Sequence, residues 1–219
     1  LKRHLISDSN YNFYADEIKA LLIHTTMEAG NFEGPDNWYG WGLLDAKKGA
    51  ELVLSLSNGD NFMNRKVKTS GVDDEEIFSS NGEELKVTIS WIDPAADFIP
   101  SVLVRMDDTS SKLVNDLDVR VIDTETNEEY FPWKLDLADV TGAAIKADNT
   151  VDNVEQISIK APVAGRKYKV VVSNKGDLID HEGKSSHQDY TLLVTGVEQE
   201  LLSTGEVAKP IVIVHPTLV

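Results

Sequence analysis

Two rhythms of hydrophobic and polar positions divide the chain. In "YADEIKALLIHTT" the residues Ala15, Ile18, Leu21, Leu22 and Thr25 recur at spacings of three and four. That spacing predicts a helix with one buried stripe. Asp16 and Glu17 fall in its first turn, where carboxylates suit the positive helix end. Gly30, Gly34, Pro35, Gly40 and Gly42 then break the pattern. A second helix is predicted from about Leu43 to Leu56, burying Leu44, Ala50, Val53 and Leu54, and "SNGDN" ends it.

From Glu84 the period changes to two. "LKVTISWID" sends Leu85, Val87, Ile89 and Trp91 inward and Lys86, Thr88 and Ser90 outward. Leu117, Val119 and Val121 alternate in the same way, as do Ile157 and Ile159. "YKVVVS" and "YTLLVTG" are β-branched and aromatic. Half-buried strands with long connections and no helices between them predict a mainly β fold, an antiparallel β-sandwich of jelly-roll type. It is placed at residues 65–198, after a short helical part at 1–56. Residues 199–219 read as a linker and the start of a further segment. The acidic run 72–84 reads as a solvated loop and edge.

Charge narrows the function classes. Of 219 residues, 21 are basic and 37 acidic, a net charge of −16. A phosphate-binding surface needs clustered Lys and Arg, so no nucleic-acid partner is expected. The chain has no Cys, which excludes disulfides, thiolate metal sites and a cysteine nucleophile. No apolar run approaches the ~20 residues of a membrane helix. Leu1 follows no Met and nothing at the start looks like a signal peptide, so a cleavage boundary is expected there.

Six ordered stretches carry a resemblance. "IKALLIHTT" and "GPDNWYGWGLLDAKKGAEL" resemble the last two helices of the catalytic domain of subtilisin-like serine proteases, with Trp41, Gly42, Leu44, Asp45 and Ala46 in the Gly-Trp-Gly turn and helix start. Glycine admits a tight turn, and a large Trp beside it can pin the start of the helix. "LKVTISWIDP", "LVNDLDVRVID", "DNTVDNVEQISIKAPVAGRKYKVVVS" and "QDYTLLVTG" resemble, in order, the β-domain that follows that catalytic domain in one bacterial branch. The resemblance spans about residues 15–196. It implies a jelly-roll domain and a parent that hydrolyses peptide bonds with an Asp, a His and a Ser. The family's nucleophile sits in a Gly-Thr-Ser motif upstream of the "IKALL" helix, and this chain contains none. No catalytic residue is therefore assigned here, the triad is expected before Leu1, and the chain alone is expected to be inactive. The tail "KPIVIVHPTLV" is similar to the opening of a sorting domain that Bacteroidetes-type bacteria use for secretion; a plain strand and a Pro turn explain the same letters.

Several residues are candidates for chemistry. Asn115, Asp116 and Asp118 crowd three oxygen side chains into four residues, and on a strand the two Asp share a face. Two carboxylates so placed either flank a cation or accept hydrogen bonds from turn amides. Asp148, Asn149, Asp152, Asn153 and Glu155 form a second oxygen-rich stretch. Calcium takes six to eight oxygens from such loops, so Asp116, Asp118, Asp152, Asn153 and Glu155 are its candidate ligands; cap and turn formation is the competing reading. The resemblance implies calcium without placing it. His24 reads as packed or capping. Asp180, Ser185, Ser186 and His187 are too local for a triad. Tyr130, Phe131 and Trp133 around Pro132 suit either packing or a sugar or peptide ligand.

The expected function is thus the non-catalytic C-terminal portion of a secreted or cell-surface bacterial serine endopeptidase. Its partners are the upstream catalytic domain and the protein or peptide substrates of the parent, with structural calcium as cofactor. An adhesion or carbohydrate-binding sandwich, or a pseudo-protease scaffold, is the alternative.

Overall fold

A computed structural model of the chain describes residues 13–96 and 110–198, apart from the side chains of residues 57 and 58. The proposed tail and the residues before 13 lie outside this range.

Helix α1 (Ala15–His24) starts at Tyr14, whose backbone N–H donates to Glu17 Oε2 at 2.8 Å. A long loop leads to α2 (Ala46–Asn58), capped by Asp45 Oδ1, which accepts from the Lys48 N–H at 2.9 Å. Gly59 ends α2 in the left-handed conformation, the usual helix stop.

Ten strands follow among the described residues: β1 (Phe62–Thr69), β2 (Asp74–Ser79), β3 (Leu85–Trp91), β4 (Asp116–Asp123), β5 (Glu129–Tyr130), β6 (Trp133–Lys134), β7 (Ile145–Lys146), β8 (Val154–Ile159), β9 (Lys167–Lys175) and β10 (His187–Thr195). One sheet runs β1-β10-β3-β8, the other β2-β9-β4-β5, and β6-β7 is a separate two-stranded excursion. Every pairing is antiparallel. Pairs β1–β10, β2–β9, β3–β8 and β4–β5 nest inside one another along the chain, as if a long hairpin had been rolled into two layers. That is jelly-roll order.

The two sheets share one core. Leu85, Val87, Ile89 and Trp91 of β3 meet Leu117, Val119 and Val121 of β4, Tyr168, Val170 and Val172 of β9, and Tyr190, Leu192 and Val194 of β10. The alternation read from the sequence is therefore the inward face of the sandwich. Each such side chain contributes about 1.5–3 kcal/mol of burial.

The structure adjusts several expectations. Strand β1 begins at Phe62, before the predicted domain start, and the acidic run read as a solvated loop and edge holds β2, the edge strand of its sheet. Helix α2 begins at Ala46 and ends at Asn58. Leu44 and Leu54, expected to be buried, are exposed, while Leu52 and Val53 are buried. Most consequential is the orientation of α1: Ile18 and Leu22 of the apolar stripe are exposed, and Asp16, Glu17, Ala20 and His24 are buried instead.

Candidate functional site

Helix α1 lies across the outer face of β3 and β10. Thr88, Ser90 and Thr191 point outward from the sandwich, as the alternation predicts, yet all three are fully buried. A polar sheet face needs polar partners when it is covered, and α1 supplies them to Thr88 and Thr191, while Ser90 Oγ is buried without one. Asp16 accepts from Thr191 Oγ1 at 3.0 Å and from Arg65 Nε at 3.1 Å. Arg65 reaches on to Asp189 at 2.9 Å and stacks over the Tyr14 ring at 4.1 Å. The His24 ring bridges Thr88 Oγ1 at 2.8 Å and Thr195 Oγ1 at 2.9 Å. Lys19 donates to the Asn153 carbonyl at 3.0 Å and to the Asn153 side chain. Burial, reinforced by the nearby Lys86 charge, holds His24 well below the ordinary histidine range, so the ring is neutral.

Ala20 and Leu21 of α1 also pack with Leu193 of β10 and Leu52 of α2, and the rest of the apolar stripe, Ile18 and Leu22, faces away. Ile18 and Leu22 are one turn apart on that side. Beyond the helix, Met27 and Leu43 exchange both backbone hydrogen bonds at 2.8 Å, and both side chains are exposed together with Leu44. Gly42 makes the pairing possible. Its φ is +103°, and a Cβ there would lie 2.3 Å from the Met27 carbonyl oxygen. Trp41 is half-buried beside it. The Gly-Trp-Gly stretch thus brings the two helices together, with Asp45 starting the second.

The carboxylates proposed for calcium divide into two groups. Lys175 Nζ lies 3.5 Å from Asp116 Oδ2, 3.0 Å from Asp118 Oδ1 and 2.7 Å from Asp148 Oδ2. Arg120 pairs with Asp118 and Asp148 from the other side and stacks on Phe131 at 4.6 Å. The cation that the Asp116–Asp118 pair requires is thus present within the chain. Glu155, fully buried, reaches between the sheets so that Oε2 accepts from the Val119 N–H at 2.7 Å. Its Oε1 and Asp116 Oδ1 are buried without a hydrogen-bond partner. Burial pushes Glu155 well above the usual carboxylate range. Asp118 is pushed up to about 6, by burial first and by Asp148 second, while Asp148 is held low by its hydrogen bonds to Asp118, Lys175 and Arg120.

Asp152 and Asn153 are engaged elsewhere: Asp152 accepts from Asn149 Nδ2 at 2.9 Å, and Asn153 donates to the Trp91 carbonyl at 3.1 Å. Among the described residues no three His, Asp or Glu side chains converge on a metal-sized site. A calcium ion at Asp116, Asp118 and Glu155 would have to displace Lys175.

The remaining candidates lie in loops and at the core. Asp180 accepts from the Glu182 and Lys184 N–H groups and shapes its own loop. A cavity of about 300 Å³ lies between that loop, Asp93, Arg65 and His187. Asp93 there is used by the Val114 and Asn115 N–H groups. Tyr130 packs against the core and Trp133 is buried.

A surface that sequence reasoning passed over is the loop 30–40. Asp36, itself buried, accepts from the Trp38 and Tyr39 N–H groups at 2.7 and 2.6 Å and closes a bridge with Gly40. The result is a tight loop that holds Trp38 at 73% exposure, more than any other large hydrophobic side chain among the described residues. Four glycines and a proline between residues 30 and 42 had marked only a turn.

Neither protein-family models nor curated protein sequences match the chain. Among the described residues no helix is long and apolar enough to cross a membrane.

Proposed function

We propose that this chain is the C-terminal, non-catalytic portion of a secreted or cell-surface bacterial subtilisin-like serine endopeptidase. In this reading α1 and α2 are the last helices of the catalytic domain, and the sandwich stabilises that domain. The single observation that supports it most is the orientation of α1. A surface helix of a self-contained sandwich would turn Ile18 and Leu22 onto the sheet. Here they are exposed, as are Met27, Leu43 and Leu44 in the segments that join α1 to α2. Exposed apolar side chains in this number along one helix and its following loop suit a contact face, and an upstream α/β domain is the partner that the six sequence stretches suggest. The parent would cleave peptide bonds through a Ser attacking the carbonyl, a His moving the proton and an Asp orienting the His, all upstream.

The test is fluorophosphonate labelling of the longest natural polypeptide that contains this sequence, with this chain run beside it. Label on the long form alone is expected. A folded long form that takes no label would sink the protease reading and leave a pseudo-protease or a binding module. The long form carrying Ile18→Glu and Leu22→Glu is expected to lose activity and melt earlier, while this chain with the same changes melts unchanged.

A further inference from the structure

The Trp38 loop does not stand alone. Asn37 Nδ2 donates to the Val140 carbonyl at 2.8 Å, and Gly34 lies against the Trp133 ring. Loop 28–40 is therefore seated on the β6–β7 excursion, and the two segments form one seam. Along it Trp38, Tyr39, Leu137 and Val140 are all more than half exposed. Segments 28–40 and 135–142 contain the carboxylates Glu28, Glu33, Asp36, Asp136 and Asp139 and not one Lys, Arg or His. A rigid, protruding aromatic pair with apolar neighbours is an unusual combination for an inert surface when the charge around it is mainly acidic, with Lys160 near Glu28 and Glu33 and Lys146 over the Trp133 ring offsetting it only in part.

We propose that this seam docks a basic, apolar segment of another polypeptide. Trp38 offers an open ring face to an Arg or Lys, the best aromatic partner for such a cation. Leu137 and Val140 take the apolar residues between the charges. The carboxylates steer the segment in and reject acidic competitors. Because Asp36 already fixes the backbone at Trp38 and Tyr39, little ordering remains to be done on binding. The proposal is separate from the upstream-domain reading, which concerns the α1 face.

The experiment is fluorescence anisotropy of this chain with a labelled heptapeptide alternating Arg and Leu, and with its Glu–Leu counterpart. Binding of the basic peptide only is expected. Trp38→Ala should weaken it about tenfold, the loss typical of an anchoring residue. Glu33→Gln with Asp139→Asn should weaken it also, whereas Asp73→Asn with Glu83→Gln, the same charge removed outside the seam, should not. Equal losses from the two charge pairs would mean unspecific attraction to an acidic protein and overturn the proposal, as would undiminished binding by Trp38→Ala. Circular dichroism checks that each variant is folded. A second arm oxidises Trp38 with N-bromosuccinimide in the longest natural polypeptide, read by peptide mass mapping. Reactive Trp38 is expected; a protected Trp38 would make another part of the same protein the occupant and reject a foreign peptide.

Discussion

Gly34 and Trp133 touch so closely that a Cβ at position 34 would lie 2.7 Å from the indole Cδ2. This contact fastens the 30–40 loop to the sandwich across a hundred residues of sequence. Gly34 also has φ of +79°, which other residues adopt at a cost. Gly34→Ala is expected to destabilise by about 2 kcal/mol or more, from clash and backbone together. In a Trp133→Ala background the clash is gone and only the backbone part, about 1 kcal/mol, should remain. Urea unfolding of the four proteins in this double-mutant cycle measures the difference.

His24 sets a pH dependence. Its folded pKa is depressed while the unfolded value stays near 6.5, so below that pH the unfolded chain takes up a proton that the folded chain refuses. Stability is fully present above the unfolded value and falls as pH drops through it, at up to about 1.4 kcal/mol per pH unit. Asp118, raised to about 6, contributes the opposite slope between roughly pH 4 and 6, because its folded form holds the proton more tightly. Comparing the melting of wild type and His24→Gln from pH 8 to 5 isolates the histidine. The variant is expected to show a flatter profile between pH 7 and 5; parallel curves would mean that His24 does not carry it.

Lys175 stands where a calcium ion would have to bind. Lys175→Met leaves Asp116, Asp118 and Asp148 facing Arg120 alone. A loss of about 1–3 kcal/mol is expected, the range for stripping a partner from partly buried charges. Millimolar calcium should raise the melting temperature of this variant and leave wild type unmoved, since only a ligand of the folded state stabilises it. A wild-type melting temperature that rises with calcium and falls with chelator would show a metal displacing the lysine.

Asp16 joins α1 to the sheet through Thr191 and Arg65. Asp16→Ala strands a buried hydroxyl and leaves Arg65 with Asp189. A cost of about 2–3 kcal/mol is expected, together with faster hydrogen exchange along α1 than along β3.

How much of this was legible in the sequence follows from where each partner lies. The inward residues of β3, β4 and β8 announce themselves because alternation is local and their partners are simply other apolar side chains. Strand β1 hides because Arg65, Lys66 and Lys68 break its alternation; Lys68 is buried only because its ammonium finds the Thr69 and Val72 carbonyls. Strand β2 reads only as a solvated loop and edge because its carboxylates are satisfied at a distance, Asp74 by Tyr190 and Glu75 by Lys169. The orientation of α1 could not be read at all. Its apolar stripe says that something is covered, not by what, and the hydroxyls that receive Asp16 and His24 lie 64 to 175 residues away. In the same way, paired Asp116 and Asp118 called for a cation without saying that Lys175 would be that cation.

The nested strand pairing has a mechanical consequence. Phe62 and Val194 face each other across β1 and β10, so the chain enters and leaves the sandwich at one end of a single antiparallel pair. Tension applied through the flanking segments would first part the Val197–Ser80 bridge and the Glu198–Ser79 hydrogen bond, then load that ladder one rung at a time from Phe62–Val194, and not all its hydrogen bonds at once. The sandwich is therefore a pendant that peels open under modest force along β1, and α1, lying on β10 and bound to Arg65 of β1 by Asp16, is the clasp across the first strand to go.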